Sequence, residues 1–565
     1  IHGNTRIGNS NFFSGNAGNI DLNAKDSISI VNSRIFSNSF DTNKSGSGFA
    51  GTITIKAGNS FALSSESEIT SATLSEAQES ESGSRWGTIL IDAGSVSLSD
   101  RAILSTTAYG VVAGGDIGIQ TQTLSLTDGS RITAESVGSG KAGNIIVNAA
   151  KSVTLSGFAP LEFEREWPFF GGMSSGLFAN TETLNSGAGG NIEVNTGNLQ
   201  ITNGAVISAR TQSSDPGGNI SVNVDNLNIT EGGQIIATAL SSGNAGNITV
   251  IAKDRITISG SDRTFTDRFN AVKQAYPELD TMSIIATDNA ASSLSVNNQG
   301  IGAGGNIILE ARQIRLENGL ENEVAIAAET ASGNGGNIQL KAPDLILLRR
   351  NSNISTTAGS KGAGGDGGNI TINTSNLVAL ENSDITANAF AGKGGRVLIT
   401  AQAIFGAQSR TEETPKSDIT AISQIGGPEL SGTVELNTPD VDPSSGLIEL
   451  PQTVVDISGL SDRRCSPNAQ QSSFVVTGRG GLPPSPTEPL DDNAYLVDLV
   501  NINPQPQVNR AGSQQVSRGE SPQIAEIVEA QGWIINDKGQ VVLVANPPNV
   551  TPHRSGLIPI GCHVR

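Results

Sequence analysis

The chain has 565 residues, of which 67 are glycine and only 4% aromatic, and a formal net charge of −19 at pH 7. Such acidity argues against a nucleic-acid partner, which needs lysine and arginine stripes against phosphate. No apolar run reaches the roughly 18 residues of a transmembrane helix, and three histidines in total leave little acid–base machinery.

The first residues already look like part of a repeat. Thr5-Arg6-Ile7-Gly8-Asn9-Ser10 matches Ser130-Arg131-Ile132-Thr133-Ala134-Glu135 further on. The chain is therefore expected to begin inside a coil, as the C-terminal part of something longer.

From Gly18 one motif recurs, best seen in Gly246-Asn247-Ile248-Thr249-Val250-Ile251-Ala252. Thirteen versions start at Gly18, Gly51, Gly87, Gly115, Gly143, Gly190, Gly218, Gly246, Gly305, Gly336, Gly368, Gly395 and Gly432. The basic step is 27–28 residues with occasional lengthening, the signature of a solenoid. Two residues after each glycine stands Ile or Val, and two further on an aliphatic residue; polar residues mostly separate them. That period of two marks a strand with one buried face.

Each repeat supplies two more short strands, as in Leu227-Asn228-Ile229 and Gln234-Ile235-Ile236 around Gly232-Gly233. Three strands make one triangular coil, and coils stack about 4.8 Å apart. The motif Asn, present in eight of thirteen repeats, predicts an amide ladder at a corner. The expected fold is all-β: a right-handed parallel β-helix over residues 1–445.

Two insertions interrupt it. Residues 158–188 carry Phe158, Phe163, Trp167, Phe169, Phe170 and Phe178 among charges that include Arg165. The plain reading is a loop packed on the side of the rod. The sharper reading is a projecting contact loop, with Trp167, Phe169, Phe170 and Arg165 as ligand-binding residues, since aromatic clusters anchor sugars or proteins. Residues 260–283, with Phe265, Phe269, Val272 and Tyr276, predict a short amphipathic helix ending at Pro277.

Beyond about residue 440 the character changes. Only five of the 22 prolines precede residue 400. Residues 446–565 are expected to form a small Pro-rich C-terminal domain, with a strand at Ser473–Thr477 and a β-hairpin joining Trp533–Ile535 to Gln540–Val544. Its two cysteines, Cys465 and Cys562, are the only ones in the chain. Their placement suits a secreted protein and suggests one disulfide. His553 and His563 lie near Cys562, but no Cys-x-x-Cys spacing supports a metal, and no cofactor is expected.

Coil and tail together resemble a known family. The Gly-Asn-Ile-x-Val-x-Ala coils, Asp456-Ile457-Ser458-Gly459-Leu460, Cys465, Phe474-Val475-Val476-Thr477-Gly478-Arg479-Gly480-Gly481-Leu482-Pro483 and Gln531-Gly532-Trp533 are similar to cyanobacterial filamentous-haemagglutinin-type outer-membrane proteins, sometimes labelled S-layer family proteins. The resemblance implies a large exoprotein, exported by two-partner secretion through an outer-membrane barrel partner and displayed at the cell surface. A secretion domain of that family is not within this sequence.

Parallel β-helices also carry polysaccharide-cleaving enzymes, which need clustered carboxylates or a basic residue at a groove. No Asn-Thr-Asp, Gly-His-Gly or Arg-Ile-Lys motif occurs. Gly362-Ala363-Gly364-Gly365-Asp366-Gly367-Gly368 lacks the Lys-Ser/Thr of a phosphate loop. The expectation is a non-catalytic extracellular adhesive rod that binds a surface glycan or protein, with a polysaccharide lyase or hydrolase as the alternative.

Overall fold

The thirteen motif strands stack in parallel with their motif positions aligned. Ile20 pairs with Ile53, Ile53 with Ile89, and so on through Ile117, Ile145, Ile192, Ile220, Ile248, Ile307, Ile338, Ile370, Val397 and Val434. The computed structural model describes residues 1–11, 16–39, 48–73, 87–162, 170–279, 281–317, 323–439 and two strands, Gly532–Ile535 and Val541–Val544. The result is an all-β solenoid of about 12 turns, a parallel β-helix.

The motif strand forms the first wall of each coil. In most coils it runs on into the second, as in Ile220–Thr230, and the pairing slips by one residue between Val224 and Asn226, where the chain turns the corner. In three coils the two walls are separate strands, for example Ile307–Glu310 and Gln313–Glu317. Both walls belong to one 16-stranded sheet. The third wall is a 14-stranded sheet of mostly short strands such as Gln234–Ile236. Residues Arg6–Asn11 lie in this wall, paired with Arg34–Ser39.

Three local features make the coil. Ile248 and Val250 are 0% exposed, and their column runs through one continuous core from Ile30 to Ala421. The motif glycine is required by close approach: a Cβ on Gly246 would lie 1.8 Å from the carbonyl oxygen of Gly218 in the coil below. The turn into the third wall uses two successive left-handed residues, such as Glu231 (φ 52°) and Gly232 (φ 81°), the second a natural place for glycine.

The corner ladder is present. The Asn219 Oδ1 accepts from the Asn247 backbone N–H at 3.0 Å and from its Nδ2 at 2.9 Å. The same pattern continues through Asn306, Asn337 and Asn369. Each side chain thus satisfies a backbone donor that a corner would leave unpaired.

The chain divides into two units, Ile1–Leu450 and Pro451–Arg565. In the second, Gly532–Ile535 runs antiparallel to Val541–Val544 with Trp533 opposite Leu543, as the hairpin reading requires. Cys465, Cys562 and the strand expected at Ser473–Thr477 lie outside the described residues.

One boundary needs correction. The first insertion was expected to run to residue 188, but Gly176–Phe178 is a regular third-wall strand, paired with Arg131–Thr133 before it and Val206–Ser208 after it. Among the described residues of the insertion, only 158–162 and 170–175 leave the coil path. The three buried residues of Gly176–Phe178 lack the alternation that marks a half-exposed strand, which hid it in the sequence.

Candidate functional site

The two insertions come from coils that are not neighbours, yet they fold together. The second contains helices Phe265–Ala275 and Thr281–Ile285. The first of these ends as the Tyr276 N–H returns to the Val272 carbonyl at 2.9 Å, just before Pro277. Val272, Ile284 and Ile285 bury against Ala159 and Met173 of the first insertion, with Phe170, Phe265, Phe269 and Tyr276 packed around them. Phe170 meets Tyr276 edge-on at 5.0 Å. The pair forms one composite cap.

Arg268 pins it. Its side chain is 0% exposed and pairs with Asp262 at 2.9 Å. It also donates to Ser174 Oγ at 2.9 Å and to the Gly172 carbonyl at 3.3 Å, and stacks 4.4 Å from the Phe158 ring. Burial pulls its pKa down, and Asp262 opposes that by stabilising the charge.

The cap sits on the outer face of the third wall. Phe178, Val206 and Ile236 point outward there and are covered by Ala286. Arg210 reaches Asp288 at 2.7 Å, and Gln234 Nε2 donates to the Asn289 and Ala291 carbonyls at 2.9 and 2.8 Å. Arg131 donates to the Ser174 carbonyl at 3.3 Å and to that of Ile284 at 2.5 Å, so one side chain ties both insertions to the wall.

Against the edge of this cap opens a cleft of about 760 Å³. Its floor is the outer face of the preceding coils. Arg34, Glu68, Ile103 and Arg131 form one row across the strands, and Phe36, Thr70, Ser105 and Thr133 the next. Asn38, Thr107 and Glu135 follow, then Tyr109 and Glu182. Phe170, Met173 and Ile284 of the cap close one end.

The electrostatics concentrate at that closed end. Ser136 bridges to Thr181 on the next coil, so the half-buried Glu135 and Glu182 stand on adjacent rungs facing one cavity. Burial pushes the Glu135 carboxyl up to about 8, with Glu182 adding repulsion and Arg131 opposing. Glu182 is also raised by burial, but Arg210, Asn180, Arg131 and Ser283 favour its charged form. Ser283 Oγ donates to Glu182 at 3.3 Å. Both carboxyls are thus held above the usual range, Glu135 up to about 8, so the pair retains a proton at neutral pH. Glu68 is raised by burial against the pull of Arg34, 3.6 Å away. Burial and the nearby Glu135 and Glu68 raise the Tyr109 phenol.

Of the four residues singled out from the sequence, Phe170 lines the cleft, half-buried in the cap. Trp167, Phe169 and Arg165 lie outside the described residues. The flanks of their loop are packed down: Ala159 and Met173 are buried. Sequence reasoning missed Glu135, Glu182 and Tyr109. Alternation along Arg131–Glu135 does point Glu135 outward, but Glu182 was hidden inside the overextended insertion, so their proximity could not be read.

No family model, curated protein or solved structure matches this chain.

Proposed function

We propose that this chain is the rod of a secreted cell-surface exoprotein, exported through an outer-membrane barrel partner, that holds a surface glycan in the cleft without cleaving it. The export route rests on the resemblance of coil and tail to filamentous-haemagglutinin-type proteins. The glycan rests on the cleft itself. Its floor alternates guanidinium, carboxyl, hydroxyl and amide groups with the faces of Phe36 and Tyr109. Such lining suits a hydroxyl-rich polymer, which needs many directional partners and a few flat apolar faces.

The test is attachment of the purified chain to its native surface, with Ser105→Trp filling the middle of the floor. Loss of attachment with unchanged strand content supports the cleft; unchanged attachment removes it.

A second reading, a polysaccharide-cleaving β-helix enzyme, draws on one observation: two carboxyls on adjacent rungs, one pushed up to about 8. Separated carboxyl pKa values are how acid and base roles are divided between two such groups. Release of reducing ends from a polysaccharide, lost in Glu135→Gln, would establish that reading and overturn the non-catalytic one.

A further inference from the structure

The closed end of the cleft combines two chemistries. One outward column of the third wall runs there through Tyr109, Val137 and Glu182, each following a residue of the bridged series Ala108, Ser136 and Thr181. Rungs are about 4.8 Å apart, so the Val137 methyls lie between a phenol on one side and a carboxyl on the other. Glu135 stands in the neighbouring column. From the cap side come Phe170, Met173, Leu279 and Ile284, all apolar. Ser283 is the cap's one hydroxyl among the lining residues, and it donates to Glu182 at 3.3 Å. Leu279 is 45% exposed, so part of this aliphatic surface still faces water beside the cleft.

A fully hydroxylated sugar fits such a place poorly. A hydroxyl turned towards Val137, Met173 and Ile284 gives up its water and finds no partner. A methyl group at the same position buries apolar surface instead.

We propose that the closed end of the cleft holds a methyl-bearing sugar, a 6-deoxyhexose or an acetylated hexose, with its methyl against Val137 and the cap and its ring hydroxyls towards Glu135, Glu182 and Tyr109. This rests on the cleft being the glycan site and names the class of sugar it selects. The hydroxyl contacts require no particular charge on either glutamate, since a carboxyl oxygen accepts from a sugar hydroxyl in both protonation states. Because the cap blocks the floor here, the sugar is a terminus or a side branch of its polymer.

The experiment is saturation-transfer NMR titration of the whole chain with two matched pairs of free sugars, L-rhamnose with L-mannose and L-fucose with L-galactose. The members of each pair differ only by a methyl against a hydroxymethyl group. In at least one pair the deoxy sugar binds about tenfold more tightly, and its methyl takes up the strongest saturation. The 6-O-acetyl esters of L-mannose and L-galactose separate the two sources of the methyl: tighter binding of the ester assigns an acetylated hexose, tighter binding of the deoxy sugar a 6-deoxyhexose. Val137→Thr exchanges one methyl for a hydroxyl of similar size and removes the preference while binding persists. Leu279→Ser, at an exposed side chain, weakens the methyl-bearing sugars alone and serves should Val137→Thr fail to fold. A preference that survives both substitutions overturns the proposal. Hydroxylated sugars that bind as tightly as their methyl-bearing counterparts, with binding lost in Tyr109→Ala, overturn the methyl and leave the cleft as the glycan site. No binding of any of these sugars by a chain that still attaches to its native surface overturns the methyl as well. Normal attachment of Tyr109→Ala to that surface overturns the cleft and this proposal together.

Discussion

Arg268 donates a hydrogen bond to Ser174 Oγ at 2.9 Å across 94 positions of sequence. This contact, with the Asp262 ion pair beside it, joins two insertions that leave the solenoid at different coils. It creates a cap, and the cap turns a repetitive wall into a cleft with one closed end. A regular rod offers the same face at every rung; here one place differs from the rest.

The cap should be separable from the rod in stability. Arg268→Ala leaves Asp262 buried without its partner, a loss on the order of 3–5 kcal/mol. Hydrogen exchange should rise in 157–162, 170–175 and 261–288, while the first-wall strands keep their protection. Unchanged exchange in the cap would show that Arg268 does not hold it.

Substitution in the core should act along the stack. Ile248 is 0% exposed between Ile220 and Ile307. Ile248→Asp loses about 1.5–3 kcal/mol of apolar burial and adds an unpaired buried charge. Exchange should increase in Ile220–Thr230 and Ile307–Glu310 as well as in the altered strand, because solenoid coils support their neighbours. Effects confined to a single coil would contradict a continuous core.

The ladder should contribute less per rung. Asn247 Oδ1 accepts from both the backbone and the side chain of Asn306, at 2.8 and 3.0 Å. Asn247→Ala removes these two bonds and the Asn247 Nδ2 donation to Asn219, and at this exposed corner should cost about 1–2 kcal/mol, read as a shift in the denaturant midpoint at constant slope. A loss as large as that of Ile248→Asp would mean the corner carries as much as the core.

Stability should fall as pH rises. The Glu135 carboxyl is raised in the folded chain from 4.5 to about 8. Between these values the unfolded chain has released this proton and the folded chain still holds it, so higher pH favours unfolding. Above about pH 8 both forms are ionised and the loss is complete. The thermal midpoint should therefore decline from pH 5 to pH 8, and Glu135→Gln should flatten this part of the decline. An unaltered decline in the variant would place the proton elsewhere.

Tyr109→Ala tests the cleft as a binding site. Removing a central aromatic anchor should weaken ligand binding by about 2 kcal/mol, roughly thirtyfold, in direct titration with a bound oligosaccharide. Undiminished affinity would place the ligand elsewhere on the rod.

The coil was legible in the sequence because it is a local rule repeated. Ile248 and Val250 alternate with polar residues, Gly246 has no room for a side chain, and Asn247 recurs where a corner needs an amide. Identical neighbours above and below then dictate register, since any slip of one residue would turn the isoleucine column out into water. The helix at Phe265–Ala275 was readable for the same local reason, its apolar residues falling on one face. The cap and the cleft were not. Arg268, Asp262 and Ser174 carry no periodic signal, and Phe178 looks like an insertion aromatic until its pairing with Thr133 places it in the wall. The closeness of Glu135 and Glu182 depends on how the chain between them leaves the coil and returns. Repetition lets sequence alone specify each rung, but contacts between insertions are made once and through space, so only the folded chain decides them.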